Sequence, residues 1–410
     1  MIIQKTILVI GGGMSGITTA VEAAEVGHKV ILVEKLPYLG GRVAKMNQYF
    51  PKLCPPYCGL EINFKRIKNN QNIDVFVSTT VENISGKKGD FKVGLKTSAK
   101  LVNDNCTTCG ECEKVCPVDI DNEFNYNLDK TKAIYLPHEM AFPWKYTIDE
   151  KACKGESCNL CVEACKYNAI DLKQKELSFE LEVDSIVIAT GWKPYDASKI
   201  ENLSYNNSAD IITNVEMERL AAPNGNTLGK VVRLTDNKEV KNIAFVQCAG
   251  SRDENHLAYC SGVCCSASLK QALNLRAVCP EIKVKIFYID LRVLGRNEDM
   301  LKKVEADKYI ELIKGKVGRV NLNENGSLQV EAEDIMISKK VNLEFDMVVL
   351  AIGIVPEKLD IPIIKYDDFG FIDVDKLEDG IFATACAKKP LDVSASVKDA
   401  TGMALKAIQE

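Results

Sequence analysis

The chain has 410 residues, 46% hydrophobic and 27% charged, the balance of an ordinary globular protein long enough for two or three domains. Lys and Arg total 52 against 57 Asp and Glu, a net charge of −5, which leaves no basic footprint for nucleic acid or anionic lipid. Sixteen cysteines are many for a cytosolic enzyme and too dilute for a disulfide-stapled miniprotein, so they must be read by spacing.

The opening run Thr6–Ile10 reads as a short all-apolar strand of the parallel-sheet kind. It leads straight into Gly11-Gly12-Gly13 with no cleavage site, which argues against a secretory leader. No stretch approaches the roughly 20 apolar residues that span a bilayer. A cytoplasmic setting without direct membrane insertion is expected, with thiols free to bind metals. Ser15–Val26 reads as a helix stopped by Gly27, and Lys29–Val33 as a second strand. Further short strands follow at Asp74–Val77 and Phe91–Leu95, broken by a Gly-Lys-Lys-Gly turn. From Cys106 to Cys165 clear periodicity is lost. Strands return at Leu177–Val183 and Ser185–Ala189, so the cysteine-rich stretch interrupts a sheet domain. A second α/β run begins at Ile243–Val246, continues through a Ser266–Val278 helix and a Lys283–Ile289 strand, and ends at Met347–Ala351. Ser394–Ile408 reads as a closing helix.

Gly11-Gly12-Gly13-Met14-Ser15-Gly16 fits G-x-G-x-x-G between a strand and a helix, and Glu34 ends the next strand at the expected distance. Gly11 allows the tight turn, Gly13 lets backbone approach a pyrophosphate, and Gly16 lets helix and strand pack closely. The helix start offers free N–H groups to phosphate, and Glu34 would accept from ribose hydroxyls. Leu39-Gly40-Gly41-Arg42, the strand end Ala189-Thr190-Gly191, and Ala351-Ile352-Gly353 resemble elements of two-dinucleotide-domain flavoproteins. That resemblance implies FAD, held by Gly11, Gly13, Met14, Ser15, Gly16, Glu34, Lys35, Gly41, Arg42, Val81, Ala189, Thr190, Gly191, Ala385, Ser396 and Val397. Where those flavoproteins carry Gly-Asp against the ribityl chain, this sequence has Ala385-Cys386. The second α/β run has no glycine fingerprint: Gln247-Cys248-Ala249-Gly250-Ser251-Arg252 occupies the loop that would cradle a nicotinamide dinucleotide.

Cys106-x2-Cys109-x2-Cys112-x3-Cys116-Pro117 matches the bacterial ferredoxin run, and Cys153-x4-Cys158-x2-Cys161-x3-Cys165 repeats it with a longer first gap. Zinc also takes four thiolates, but two tandem runs favour iron–sulfur. Because two-cluster ferredoxins exchange the fourth ligand, one [4Fe–4S] cluster is expected on Cys106, Cys109, Cys112 and Cys165, the other on Cys153, Cys158, Cys161 and Cys116. Cys248, Cys260, Cys264 and Cys265 form a third set in one loop; spacing leaves cluster ligation and buried or redox-active thiols both open. Cys54 and Cys58 could be a redox pair, cluster ligands or packed thiols, with packing slightly favoured. Cys279 and Cys386 read as core. His28, His138 and His256 are isolated, and no hydrolytic constellation appears.

The FAD motif, the double-ferredoxin insert with Lys132-Ala133-Ile134-Tyr135-Leu136-Pro137, and the Cys248…Cys260-x3-Cys264-Cys265 set together resemble the A-subunit family of heterodisulfide reductases over nearly the whole chain. Its longest members carry a further N-terminal domain and a C-terminal ferredoxin domain. The compact form, with Pro51-Lys52-Leu53-Cys54-Pro55-Pro56-Tyr57-Cys58, resembles most the family's branch in quinone-interacting membrane-bound oxidoreductases of sulfate reducers. The resemblance implies a third [4Fe–4S] cluster on Cys248, Cys260, Cys264 and Cys265, close to the flavin. It implies a two-dinucleotide-binding α/β flavoprotein with a ferredoxin-like insert: residues 1–100, 176–200 and 346–410 for FAD, 101–175 for the insert, and 201–345 for the second Rossmann-like domain. It further implies an oxidoreductase component for electron transfer, cytoplasmic and attached to the membrane through partners. Those partners would be a heterodisulfide-reductase-like flavin and iron–sulfur protein, a membrane haem protein, and a soluble acceptor such as adenylylsulfate reductase. Bifurcation or confurcation at the flavin is left open. The alternatives are the A component of a soluble heterodisulfide reductase, an NAD(P)H-dependent flavin or ferredoxin reductase, and a non-catalytic scaffold.

Overall fold

A computed structural model describes residues 4–409. Thr6–Ile10, fully apolar after its first residue and buried on both faces, takes the middle of a five-stranded parallel sheet. Ser185–Ile188 lies on one side of it, in register Ile10 to Ile188, and Lys29–Val33 on the other. Ile73–Phe76 and Ile381–Ala383 form the two edges. Every strand is therefore drawn from a different stretch of sequence. Each buried Leu, Ile or Val here contributes about 1.5–3 kcal/mol on leaving water. The Met14–Glu25 helix packs on one face together with Val393–Gln409; Ile17, Ala20, Val21 and Ala24 of the first join Ala407 of the second in one core. Both helices begin one residue earlier than periodicity predicts.

The second sheet repeats the plan with strands Ile211–Thr213, Met347–Ile352, Asn242–Ala249, Lys283–Tyr288 and Ile310–Lys314, all parallel. Met347–Ile352 lies between two of its strands, although a boundary at 346 would assign it to the FAD domain; all six of its residues are buried there. The chain passes between the two sheets through a pair of antiparallel segments, Trp192–Pro194 and Ile354–Pro356. The helix expected at Ser266–Val278 begins at Cys264, so the two adjacent cysteines lie in its first turn rather than in a loop.

Residues between Thr97 and Leu177 form a separate lobe. Its base is the pairing of those two residues, at the ends of the antiparallel strands Asp90–Thr97 and Leu177–Val183. A bridge between Val102 and Ile170 closes the lobe above that base. Inside are two one-turn helices, Glu111–Val115 and Leu160–Ala164, and two small hairpins around a core of Val102, Cys112, Ile134, Tyr146 and Ile170. The core is small because the cysteines take positions that apolar residues would otherwise fill. Among the described residues no helix is long and apolar enough to cross a membrane.

Candidate FAD cavity and thiol quartets

An elongated cavity runs from the end of the Lys29–Val33 strand, past the glycine loop, to the place where helices of the second sheet approach the first. Its start is set by Glu34. The buried carboxylate accepts from the N–H groups of Gly12 (2.6 Å) and Leu36 (2.8 Å), which fixes both turns around the glycine loop. Burial pushes the Glu34 carboxyl up from its ordinary value, against the pull of those two bonds.

Glycine is required here for space as well as conformation. A Cβ on Gly16 would fall onto the carbonyl oxygen of Gly11, and a Cβ on Gly41 (φ +54°) would stand 2.9 Å from Cα of Gly13. Two backbone loops thus meet with no side chain between them. The first-turn N–H groups of the Met14–Glu25 helix lack intrahelical partners, and Gly13, Met14 and Ser15 line the cavity. Arg42 is held beside them by its Nε–H bond to the Trp192 carbonyl and by its stack over the Trp192 ring.

Of the residues expected to contact FAD, Gly13, Met14, Ser15, Glu34, Lys35, Gly41, Arg42, Ala189, Thr190, Gly191 and Ser396 line this cavity. Gly11 and Gly16 lie behind it and shape the turn. Val81 is not in the lining; it pairs with Leu95 and packs against the core that includes Phe91, Val93 and Leu95. Ala385 and Val397 are not in the lining, but Thr384, Cys386 and Asp392 are. A carboxylate of the closing helix braces this backbone from outside the lining. Asp399 accepts from the Ala385 N–H (2.7 Å) and the Thr384 hydroxyl (2.9 Å) and pairs with Lys388, holding Ala385 at φ +52°. Cys386, read from sequence as core, faces the cavity.

The far end of the cavity carries no sequence motif. Lys270 and Glu218, with side chains 3% and 9% exposed, form an ion pair of 2.5 Å in the cavity wall. Lys270 also donates to the Gln48 carbonyl (2.6 Å), and the Asn47 N–H donates to Glu218 (3.0 Å). Gln271 donates to Glu218 and to the Asn214 carbonyl. The side-chain oxygens of Asn214 and Gln271 are buried in this wall without a protein partner, as expected of groups awaiting a polar ligand. A cationic phosphate loop, a glycine cradle and unsatisfied amides at the other end together fit a dinucleotide.

The cysteines of the lobe gather into two groups around two small voids. One void is lined by Cys106, Cys109, Cys112 and Cys165, the other by Cys116, Cys153, Cys158 and Cys161. These are the groupings that ligand exchange between the two runs predicts. Backbone N–H groups of Gly155 and Ala169 donate to the sulfurs of Cys153 and Cys165, each at 3.4 Å, and such donors favour thiolate. Burial, with Cys106 nearby, pushes Cys112 up to about 12; burial, with Cys153 and Cys116 nearby, raises Cys161. Free thiols so crowded resist ionising, whereas a cationic cluster would remove that penalty. Among the described residues no three His, Cys, Asp or Glu side chains are placed to hold a single metal ion.

The third quartet sits at the C-terminal end of the second sheet. Cys248 (φ +56°) lies near the C-terminal end of the central strand Asn242–Ala249, where its register with Met347–Ile352 shifts, and Cys264 and Cys265 open the helix. Burial, then the neighbouring Cys265, Cys248 and Cys260, raise the Cys264 thiol. Gly262 N–H donates to Cys260 sulfur at 3.4 Å, and Arg252, Asp290 and Arg292 form an ion network beside it. Val263 and Ala267 of the same segment line the FAD cavity, and Ser261 Oγ accepts from the Ile354 N–H (2.8 Å) in the cavity wall. The quartet and the cavity therefore share one wall.

Residues 6–99 match the family model for FAD dependent oxidoreductases. Over 98% of its length the chain is 35% identical to the A component of H(2):CoB-CoM heterodisulfide,ferredoxin reductase from Methanothermobacter thermautotrophicus, covering 63% of that protein. It is 37% identical, with the same coverage, to the second iron-sulfur A component of CoB--CoM heterodisulfide reductase from Methanopyrus kandleri. The chain is a homologue of the heterodisulfide reductase A component. It spans just under two thirds of the length of these relatives. Among solved structures, thioredoxin reductase of T. acidophilum aligns over 99% of both chains at a TM-score of 0.54 and 12% identity. Thioredoxin reductase of Lactococcus lactis aligns over 99% of this chain and 98% of its own at 0.53 and 13%. At those identities they share the two-dinucleotide-domain fold. The family match and the cavity both support FAD.

Proposed function

We propose that the chain is the FAD and iron–sulfur electron-transfer component of a heterodisulfide-reductase-type complex. The observation that carries this is the wall shared by the FAD cavity and the Cys248 quartet, where a nicotinamide-binding loop would otherwise lie. When bound, FAD exchanges electrons in pairs or singly, and [4Fe–4S] clusters carry them singly. We assign Cys106, Cys109, Cys112 and Cys165 to one cluster, Cys116, Cys153, Cys158 and Cys161 to a second, and Cys248, Cys260, Cys264 and Cys265 to a third.

The chain's own residues would divide the remaining work. Gly13, Gly41 and the first turn of the Met14–Glu25 helix bind the pyrophosphate, and Glu34 orients the adenosine ribose. Lys270 holds a proton on Nζ at the cavity wall, with Glu218 and the Gln48 carbonyl fixing its position. Burial of both groups excludes water from that proton. In the finer reading, resting on the resemblance carried by Pro51-Lys52-Leu53-Cys54-Pro55-Pro56-Tyr57-Cys58, the partners are a quinone-linked membrane haem protein, a second heterodisulfide-reductase-like protein and adenylylsulfate reductase, with attachment to the cytoplasmic face of the membrane through the first.

Iron, sulfide and FAD analysis of anaerobically purified protein tests the assignment. About twelve irons per FAD are expected for three [4Fe–4S] clusters, and about eight would remove the third. Rapid bleaching of the flavin by NADH or NADPH would replace the relay with a nicotinamide-dependent reductase.

A further inference from the structure

Cys54 and Cys58 belong to none of the three quartets. Tyr49 N–H donates to the Cys54 carbonyl at 3.0 Å, closing a short bridge between the two residues. Four positions on, Cys58 is the third residue of the Pro56–Lys68 helix, and its N–H donates to the Pro55 carbonyl at 3.2 Å. The two thiols are thus linked by one tight turn into a helix start. Cys54 is half-buried and Cys58 exposed. Burial, then the neighbouring Cys54 and Cys58, raise the Tyr49 phenol. Tyr49, bridged to Cys54, lines the FAD cavity together with Phe50, and neither cysteine is in the lining.

The pair lies apart from the thiol quartets. The nearest polar contact of the Cys54 sulfur is the Lys52 carbonyl at 3.9 Å, and neither cysteine lines a four-cysteine void of the kind seen twice in the lobe. Two thiols with nothing else fit the chemistry that needs only two. The exposed one can be reached by a small molecule, and the half-buried one stands close enough in the chain to follow it.

We propose that Cys54 and Cys58 form a dithiol that exchanges with low-molecular-weight disulfides. Cys58, as thiolate, attacks one sulfur of a disulfide R–S–S–R. A Cys58–S–R bond forms, the S–S bond of the small molecule breaks, and the departing R–S⁻ takes up the proton Cys58 lost. Cys54 then attacks the Cys58 sulfur, forming the Cys54–Cys58 bond and releasing the second R–SH. Two protein thiols and one disulfide become one protein disulfide and two small thiols, with no outside electron. The proposal does not depend on the electron-transfer role assigned above.

Cystamine, added to the anaerobically purified full chain with its FAD and clusters, is the probe. Trypsin releases both residues in one peptide, Leu53–Lys65. After equilibration that peptide should be lighter by two hydrogens and take no alkylating label, and excess dithiothreitol should restore both. In Cys54→Ser, Cys58 should stop at the mixed disulfide; in Cys58→Ser, capture by Cys54 should be about tenfold slower. FAD retention checks that each variant is folded. A wild-type peptide whose two cysteines stay alkylatable, or one that accumulates a stable mixed disulfide with Cys54 still free, overturns the proposal.

Discussion

At the scale of single residues the cavity depends most on a charge placed where charge is costly. Lys270 lies mid-helix between Leu269 and Gln271, all three buried, and its ammonium is satisfied only by Glu218 and the Gln48 carbonyl among the described residues. Removing one partner of such a pair leaves the other as an uncompensated buried charge, whereas removing both charges relieves it. Lys270→Met should therefore destabilise the protein by about 3–5 kcal/mol, and the double variant Lys270→Met/Glu218→Gln, which removes the charge but keeps an acceptor for Asn47 and Gln271, should recover part of that. Urea unfolding of the four members of the cycle measures both. A double variant no more stable than Lys270→Met would refute the buried-pair account. Neither residue stands out in sequence, because a lone lysine in a helical stretch reads as solvent-facing until the neighbouring sheet is present.

Among elements, the lobe between Thr97 and Leu177 shows how spacing can outrun periodicity. Cys106 to Cys116 and Cys153 to Cys165 contain only one turn of α-helix each, too little for a hydrophobic repeat to register. Their cysteine spacing still identifies the two groups, because the short helices bring the x3-spaced fourth cysteine of each run toward the opposite void. The exchange makes a test that simple pairing within each run would fail. Cys116→Ser should remove the cluster assigned to Cys153, Cys158 and Cys161, and leave the one assigned to Cys106, Cys109 and Cys112. Cys165→Ser should do the reverse. Low-temperature EPR of the reduced variants distinguishes the two outcomes, since the two voids have different linings. A Cys116→Ser protein that lost the first cluster instead would refute the exchange.

For the whole molecule, Arg219 joins three bodies. It is 1% exposed, and its hydrogen bonds go to amide and carbonyl oxygens rather than to a carboxylate. Its Nε donates to Asn125 of the lobe (2.8 Å), Nη1 to the Lys45 carbonyl beside the FAD cavity (3.4 Å), and Nη2 to Asn224 of the second α/β unit (3.0 Å). Its guanidinium also lies 4.7 Å from the centroid of the Phe124 ring. Each buried acceptor left unpaired costs about 1–3 kcal/mol. Arg219→Met should loosen the lobe where Asn125 docks. Hydrogen exchange over residues 122–138 should then speed up at least about tenfold, the factor that corresponds to about 1.4 kcal/mol. Unchanged exchange there would mean that the lobe is held by its other contacts, such as Leu39 N–H to the Phe142 carbonyl and the Phe64–Phe142 stack, and not by Arg219.

The sequence alone was enough for the composition class, the glycine fingerprint with Glu34, and the grouping of the first eight cysteines. These are local: a motif, a strand and a spacing can each be read within a few dozen residues. It also marked Cys54 and Cys58 as unassigned. What only the tertiary structure decided is non-local. The first sheet draws five strands from residues 6 to 383, and the Met347–Ile352 strand belongs to the second sheet because burial on both faces requires neighbours that the chain supplies a hundred residues earlier. The cavity end formed by Asn214, Glu218, Lys270 and Gln271, the Asp399 carboxylate behind Ala385, and the wall shared with Cys264 all arise where separate elements meet. A buried charge or an unpaired amide acquires its meaning from those neighbours, and no window of sequence contains them.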